Sequence, residues 1–345
     1  MSLRLRVSAF IHNKSLKNKK TYKQLALLAA ISCLFLFLQT IEVAEVKNQL
    51  VQIGWQFSLV FLITGIAYAM ASTAWLLCFK EIPAQLSASK LFVYRQIGET
   101  LTTINPANIV VGESAKVYLL KQDGVTYEEG IVSILLSRIL IFLSMIALFL
   151  LLPFALYKMG WVGNITWMGI GGLFLFISLM VVVFYAMIHP TLLLHQWTLG
   201  LSQKWNLPFL KKLLPKIQSV NQLLCDFYQT HQLKLFLAFV LSVFHWLMGA
   251  LEIYVLLYFL DIKITVLAAI LVEVGITCIK SMGAFIPGQV GVEEYGNKLM
   301  LGLVGVSSGS IWVTISILRR TRQVIWLLIG GLFFLLVYRK FQKVI

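Results

Sequence analysis

Charge is scarce in this chain: of its 345 residues, 12% are Asp, Glu, Lys or Arg. A soluble domain carries about twice that share, so a soluble enzyme or binding module is excluded. Cysteine is nearly absent as well, with four in all. Cys33, Cys78 and Cys278 fall in apolar segments and Cys225 in a basic loop, at spacings that suit neither a zinc site nor a disulfide framework. The five histidines are scattered, and no two stand at the i, i+3 or i, i+4 spacing of a helical metal site. No cofactor and no metal are expected. Acidic residues are half as common as basic ones, 14 against 29, which leaves a formal charge of +15.

Apolar residues make up 59% of the chain, and the mean hydropathy is +0.86. Long apolar runs at 25–41, 53–79, 131–152, 167–188, 235–260, 264–286 and 312–337 are each near or above the roughly 20 residues that a spanning helix needs. The stretches 91–120 and 264–304 carry proline, glycine and charge midway and read as interrupted or re-entrant segments. The fold class is thus an all-α polytopic membrane protein with six to eight transmembrane helices and two such segments. The basic residues mark topology, not a nucleic-acid partner. Seven lie in the first 24 residues, five in the loop 189–234 and three after 337, whereas the connections near 40–52, 153–166 and 261–263 hold Lys47, Lys158 and Lys263 alone. The positive-inside rule puts both termini in the cytoplasm. The organisation expected is a basic cytoplasmic tail at 1–24, a membrane domain at 25–337 and a basic cytoplasmic tail at 338–345. The first apolar run reads as a retained signal anchor, and the loop 189–234, rich in Leu, Trp and Lys, as short interfacial helices on the inner leaflet.

A second pattern lies within the apolar background. Pro106 and Pro287, Glu113 and Glu294, Gly124 and Gly305, and Arg138 and Arg319 each stand 181 positions apart, with no gap between them (287 − 106, 294 − 113, 305 − 124 and 319 − 138). Gly124-Val125-Thr126 answers Gly305-Val306-Ser307 at the same offset. This reads as a diverged duplication, repeat A at about 53–152 and repeat B at about 234–333. Counted from a cytoplasmic N-terminus, the two copies run in opposite directions, the inverted-topology arrangement that builds two-sided access around a central site.

Ions within hydrocarbon cost about 2.5–3.5 kcal/mol each on insertion scales, so each needs a reason. The set is Glu113, Arg138, Glu252, Glu273, Lys280, Glu293, Glu294, Arg319, Arg320 and Arg322. The plain reading is mutual pairing or snorkelling; for Glu113, Glu294 and Arg319, placed in the duplicated frame, function is favoured. Pro106 and Pro287 interrupt helix hydrogen bonding, and half-helix ends exposed in this way offer N–H groups to anions. The substrate-binding set expected is Glu113 and Glu294 for a cationic headgroup, Arg138, Arg319 and Arg322 for phosphate, and Pro106, Pro287 and Gly291 shaping the breaks. These side chains are expected to converge on one cavity near mid-membrane. Glu252 and His245, seven positions apart, read as packed residues and not as a proton relay.

Pro106, Gly112-Glu113, Lys116, Gly124 and Arg138, together with Pro287-Gly288, Gly291, Glu293-Glu294, Gly305-Val306 and Arg319, resemble the two signature regions of the lysylphosphatidylglycerol synthase transmembrane-domain family, the flippase-like domain family. Gln289 stands where that pattern places a glycine. The resemblance implies a bacterial inner-membrane protein that moves an anionic or aminoacylated phospholipid, or a polyprenyl or hopanoid lipid, between leaflets, alone, as a homo-oligomer or beside a lipid-modifying enzyme. No aminoacyltransferase segment is recognised in these 345 residues, so enzyme activity is not expected. Competing readings are a secondary transporter of a small solute and a non-transporting accessory of lipid modification. A transferase using Glu293 and Glu294 ranks last, because neighbouring helical residues point about 100° apart.

Overall fold

The computed structural model describes residues 43–104, 109–150, 178, 219–220, 222–224, 226–283, 289 and 291–342. Among them the elements are helices: α1 Val43–Ile53, α2 Phe57–Leu76, α3 Ala88–Ile104, α4 Ile109–Gln122, α5 Tyr127–Phe149, α6 Gln232–Phe259, α7 Val266–Met282, α8 Val292–Leu303 and α9 Gly309–Gln342. The expected apolar runs at 25–41 and 167–188 lie outside the described residues, apart from 178, as do Pro106 and Pro287.

Among the described residues four stretches are long and apolar enough to cross a membrane: Ala44–Leu76, Tyr127–Phe149, Gln232–Phe259 and Gly309–Val337. Each begins about three to nine residues before the run read from the sequence. The largest shift corrects the loop expected near 40–52, which is helical from Val43 on. Val46, Leu50 and Ile53 repeat at helical spacing; Val46 and Ile53 are buried and Leu50 packs against the same core. A short 3-10 turn, Gly54–Gln56, joins α1 to α2.

The two interrupted stretches form antiparallel hairpins. In the first, Lys90 and Tyr94 of α3 both bond Asp123 just beyond α4, and Glu99 meets Lys116 farther along the pair. In the second, Lys280 of α7 pairs with Glu293 of α8, and Gly275 abuts Met300. Arms of 17 and 14 residues, and of 17 and 12, span roughly 18–26 Å at 1.5 Å per residue, short of a bilayer core of about 30 Å. Small residues permit the tight approach: a Cβ on Gly112 would collide with the Gly98 carbonyl.

Both hairpins end alike. α4 closes on Gly124 at φ 83°, with Val125 N–H donating to the Leu120 carbonyl at 3.2 Å. α8 closes on Gly305 at φ 88°, with Val306 N–H donating to Leu301 at 2.9 Å. These left-handed turns suit glycine, which has no Cβ to strain. Thr126 then caps α5 by accepting from Glu129 N–H.

The apolar core divides between the hairpins. One cluster gathers Leu91, Ile97, Leu120 and Leu136 with the start of α6, and the other gathers Ile253, Leu257, Ile276, Leu301 and Ile315. Helices α2 and α6 pack along one another between them. Outward faces keep large apolar residues such as Leu62, Phe236, Leu328 and Leu332 exposed, as a lipid-facing surface requires. Cys78, just past α2, is buried in the apolar cluster with Trp75 and Phe79.

Candidate functional site

A cavity of about 440 Å³ opens near the middle of α2, α6 and α9, with α7 on its remaining side. Its ionic lining comes from Glu252 on α6, Glu273 and Lys280 on α7, and Arg319 and Arg322 on α9. Helical periodicity explains the last two: three positions apart, they share a face, and both reach Glu252. Arg322 donates to Glu252 Oε2 and, at 3.3 Å, to Thr64. Arg319 holds Glu273 at 3.0 Å and Glu293 at 3.4 Å, with Glu252 at 3.9 Å. Glu252 is 1% exposed and Arg319 3%. Arg319 Nε and Nη1 nevertheless make no hydrogen bond among the described residues. Buried ions persist in apolar surroundings only when paired in this way. Two carboxylates and three cations line the cavity, and Glu293 behind them pairs with Lys280 and Arg319, so three acids meet three bases in this cluster.

The rim of this cavity is built on strained backbone. Gln289, at the position where the resemblance calls for glycine, adopts φ 51°. Its amide donates to the Lys280 carbonyl and its own carbonyl accepts from Arg320. Gly291 follows at φ 84°, and its N–H donates to Glu294 Oε2 at 2.8 Å, so Glu294 caps the first turn of α8. The same carboxylate receives Arg320 Nε at 2.7 Å.

A second ionic cluster sits between α3, α4 and α5. Arg138 Nη2 donates to Glu99 and Glu113, each at 2.6 Å, and Lys116 meets the same two carboxylates at 3.2 and 3.1 Å. Arg95 stacks over the Tyr68 ring at 4.6 Å. Beside Glu113 and Arg138, a groove of about 900 Å³ runs along Val117, Tyr118, Ile131 and Leu135, mostly apolar and floored by charge.

Of the residues read from the sequence, Arg319 and Arg322 therefore line the central cavity, and Gly291 shapes its rim. Glu113 and Arg138 belong to the other cluster, and Glu294 holds Arg320, so the expected meeting of Glu113, Glu294 and Arg319 in one cavity does not occur. Neighbouring positions on α9 face different ways: Arg319 turns to the cavity and Arg320 to Glu294, whereas Arg138, at the matching offset, turns to Glu113. Glu99, Arg95 and Tyr68 were missed. Glu99 stands 181 positions before Lys280 (280 − 99), and a search for identical residues passes over a pair of opposite sign. His245 bonds the Ala67 carbonyl through Nδ1 at 2.9 Å, in keeping with a packed histidine. Among the described residues no group of His, Cys, Asp and Glu is arranged to hold a metal.

A comparison with family models matches residues 24–331 to the TM region of lysylphosphatidylglycerol synthase, and so takes in both hairpins, both ionic clusters and the cavity. No curated protein and no solved structure matches the chain. With the match running over nearly its whole length, the chain belongs to the lysylphosphatidylglycerol synthase TM region family.

Proposed function

We propose that this chain is a lipid translocase of the bacterial inner membrane, moving a charged or modified phospholipid, or a related polyprenyl or hopanoid lipid, between leaflets. The observation that carries the reading is the ion-lined cavity midway along the apolar helices, because a site at that depth has no use in anchoring and serves a polar group crossing the hydrocarbon. Arg319, Arg322 and Lys280 receive the headgroup phosphate. Glu252 and Glu273 hold these cations in place when the site is empty, and a cationic headgroup group meets the same carboxylates. The acyl chains stay in lipid, since about 440 Å³ accommodates a headgroup and not a whole phospholipid.

An inverted repeat supports two-sided access. Shifted by 181, α3 falls on α7, α4 on α8 and α5 on the first part of α9. The packing α3 against α9 has its counterpart in α7 against α5, and both hairpins close on a left-handed glycine. Both termini in the cytoplasm complete the topology. The size of the cavity also suits a small solute, which keeps a secondary transporter as the second reading.

Reconstitution tests the proposal. Fluorescent lipids of differing headgroup, placed in proteoliposomes, are read by quenching of the outer leaflet. Exchange dependent on headgroup, lost in Arg319→Ala and reduced in Glu294→Gln, supports it. Exchange equal to that of protein-free vesicles, or variants that match wild type, removes it. Solute uptake driven by a proton or sodium gradient, without lipid exchange, selects the second reading.

A further inference from the structure

Three buried nitrogen donors lack a hydrogen-bond partner among the described residues and belong to one place: Arg95 Nη1, Gln96 Nε2 and Trp326 Nε1. Their residues line a cavity of about 130 Å³ at the seam between α3 and α9, separate from the central one and sharing Tyr68 with it. Among the described residues, the buried seam atoms that lack a hydrogen bond are all donors. Gln96 is 3% exposed and Trp326 8%. Trp326 is held by stacking on Phe61, with ring centroids 4.7 Å apart, and Arg95 by the Tyr68 ring, so neither donor swings away freely.

Charge is unbalanced at the same place. Arg95, Lys116 and Arg138 face Glu99 and Glu113, three cations against two carboxylates. Lys116 and Arg138 take both carboxylates, and Arg95 makes no ion pair within 4 Å among the described residues. Glu99 also borders the seam cavity, but its Oε1 is neutralised by Arg138 and Lys116. An uncompensated guanidinium within an apolar bundle calls for an anion. A water must donate as well as accept, whereas the buried atoms left without a partner at the seam are donors alone. The volume is well above the roughly 10–15 Å³ that one water needs, which leaves room for a tetrahedral group.

We infer that the seam of α3 and α9 binds a phosphate-type oxyanion through Arg95, Gln96 and Trp326, either the phosphate of a phospholipid headgroup or free inorganic phosphate. The site does not depend on translocation: it holds its anion whether or not lipid crosses.

The full chain, purified in a maltoside detergent free of phosphate, is dialysed against radiolabelled inorganic phosphate, and phosphatidylglycerol retention is followed by native mass spectrometry. Saturable binding of either ligand is expected, weakened roughly tenfold or more in Arg95→Gln and about fivefold in Trp326→Phe. Phosphate binding alone identifies the free anion, and lipid binding alone the headgroup. Trp326→Phe keeps the stacked ring, so it decides the matter if Arg95→Gln fails to fold. No saturable binding of either ligand, or equal binding by wild type and Trp326→Phe, overturns the assignment. Arg319→Ala that loses leaflet exchange but keeps phosphate binding separates this site from the central cavity.

Discussion

Gly124 and Gly305 end α4 and α8 in the same left-handed turn, at φ 83° and 88°, and stand 181 positions apart. No other atom lies within 4 Å of a Cβ built at either, so any penalty for a larger residue comes from backbone strain alone. Gly124→Ala and Gly305→Ala are each expected to destabilise by about 1–2 kcal/mol and to a similar extent. Thermal unfolding in detergent reads the difference. Should one substitution be silent, the two turns are not equivalent.

Glu252 is the counter-ion of Arg322 and a neighbour of Arg319. Glu252→Gln leaves buried guanidinium charge without its partner and is expected to cost about 3–5 kcal/mol. Arg322→Gln in the same chain recovers part of that loss, as a double-mutant cycle on thermal midpoints will register. Additive losses would place the energetic partner of Glu252 elsewhere.

Arg138 divides its bonds between Glu99 and Glu113. Either carboxylate therefore covers for the other: Glu99→Gln and Glu113→Gln alone are each expected to lower stability by about 1–2 kcal/mol, and the double variant by more than their sum. Strict additivity, measured by the same unfolding assay, would show that the two acids act apart.

Lys80 and Asp226 pair at 2.7 Å outside the spanning segments, with half-exposed side chains. The hydrogen bond to Asp226, then its charge, raises the Lys80 pKa. The sign follows: whatever the pair contributes is present below the ordinary lysine value and is lost as pH rises through the raised one. Exposed pairs are screened by solvent and salt, so Asp226→Asn should leave the thermal midpoint at pH 7 unchanged. A clear drop would mean that the pair clamps the segment before α6 to the segment after α2.

Four of the expected spans were legible because some twenty largely apolar residues in a row have few other uses, and their C-terminal ends fell within about three residues of those read from the sequence. The hairpins were legible from proline and charge in mid-run, and Gly124 and Gly305 from the offset. α1 was hidden by Glu45, Lys47, Gln49 and Gln52, which make the segment look like a loop. Gln49 instead bonds Thr314 at 2.6 Å and Ser310 at 3.1 Å across to α9. The division of ions between two clusters was not legible either. Which way Arg319 or Arg320 faces depends on the rotation of α9 against its neighbours, and one position turns a side chain by about 100°. Glu99 escaped because the two hairpins exchange signs, Glu99 with Lys116 in one and Lys280 with Glu293 in the other.

Blocking the central cavity puts the translocation reading to its most direct test. Ser281 lines that cavity and is exposed to it. In a chain whose four native cysteines are replaced, Ser281→Cys is to be labelled with a bulky maleimide and phospholipid exchange timed in the same proteoliposomes before and after. The account predicts headgroup-dependent exchange before labelling and a fall to the protein-free rate afterwards. Exchange that continues undiminished with the label in place would contradict passage through this cavity.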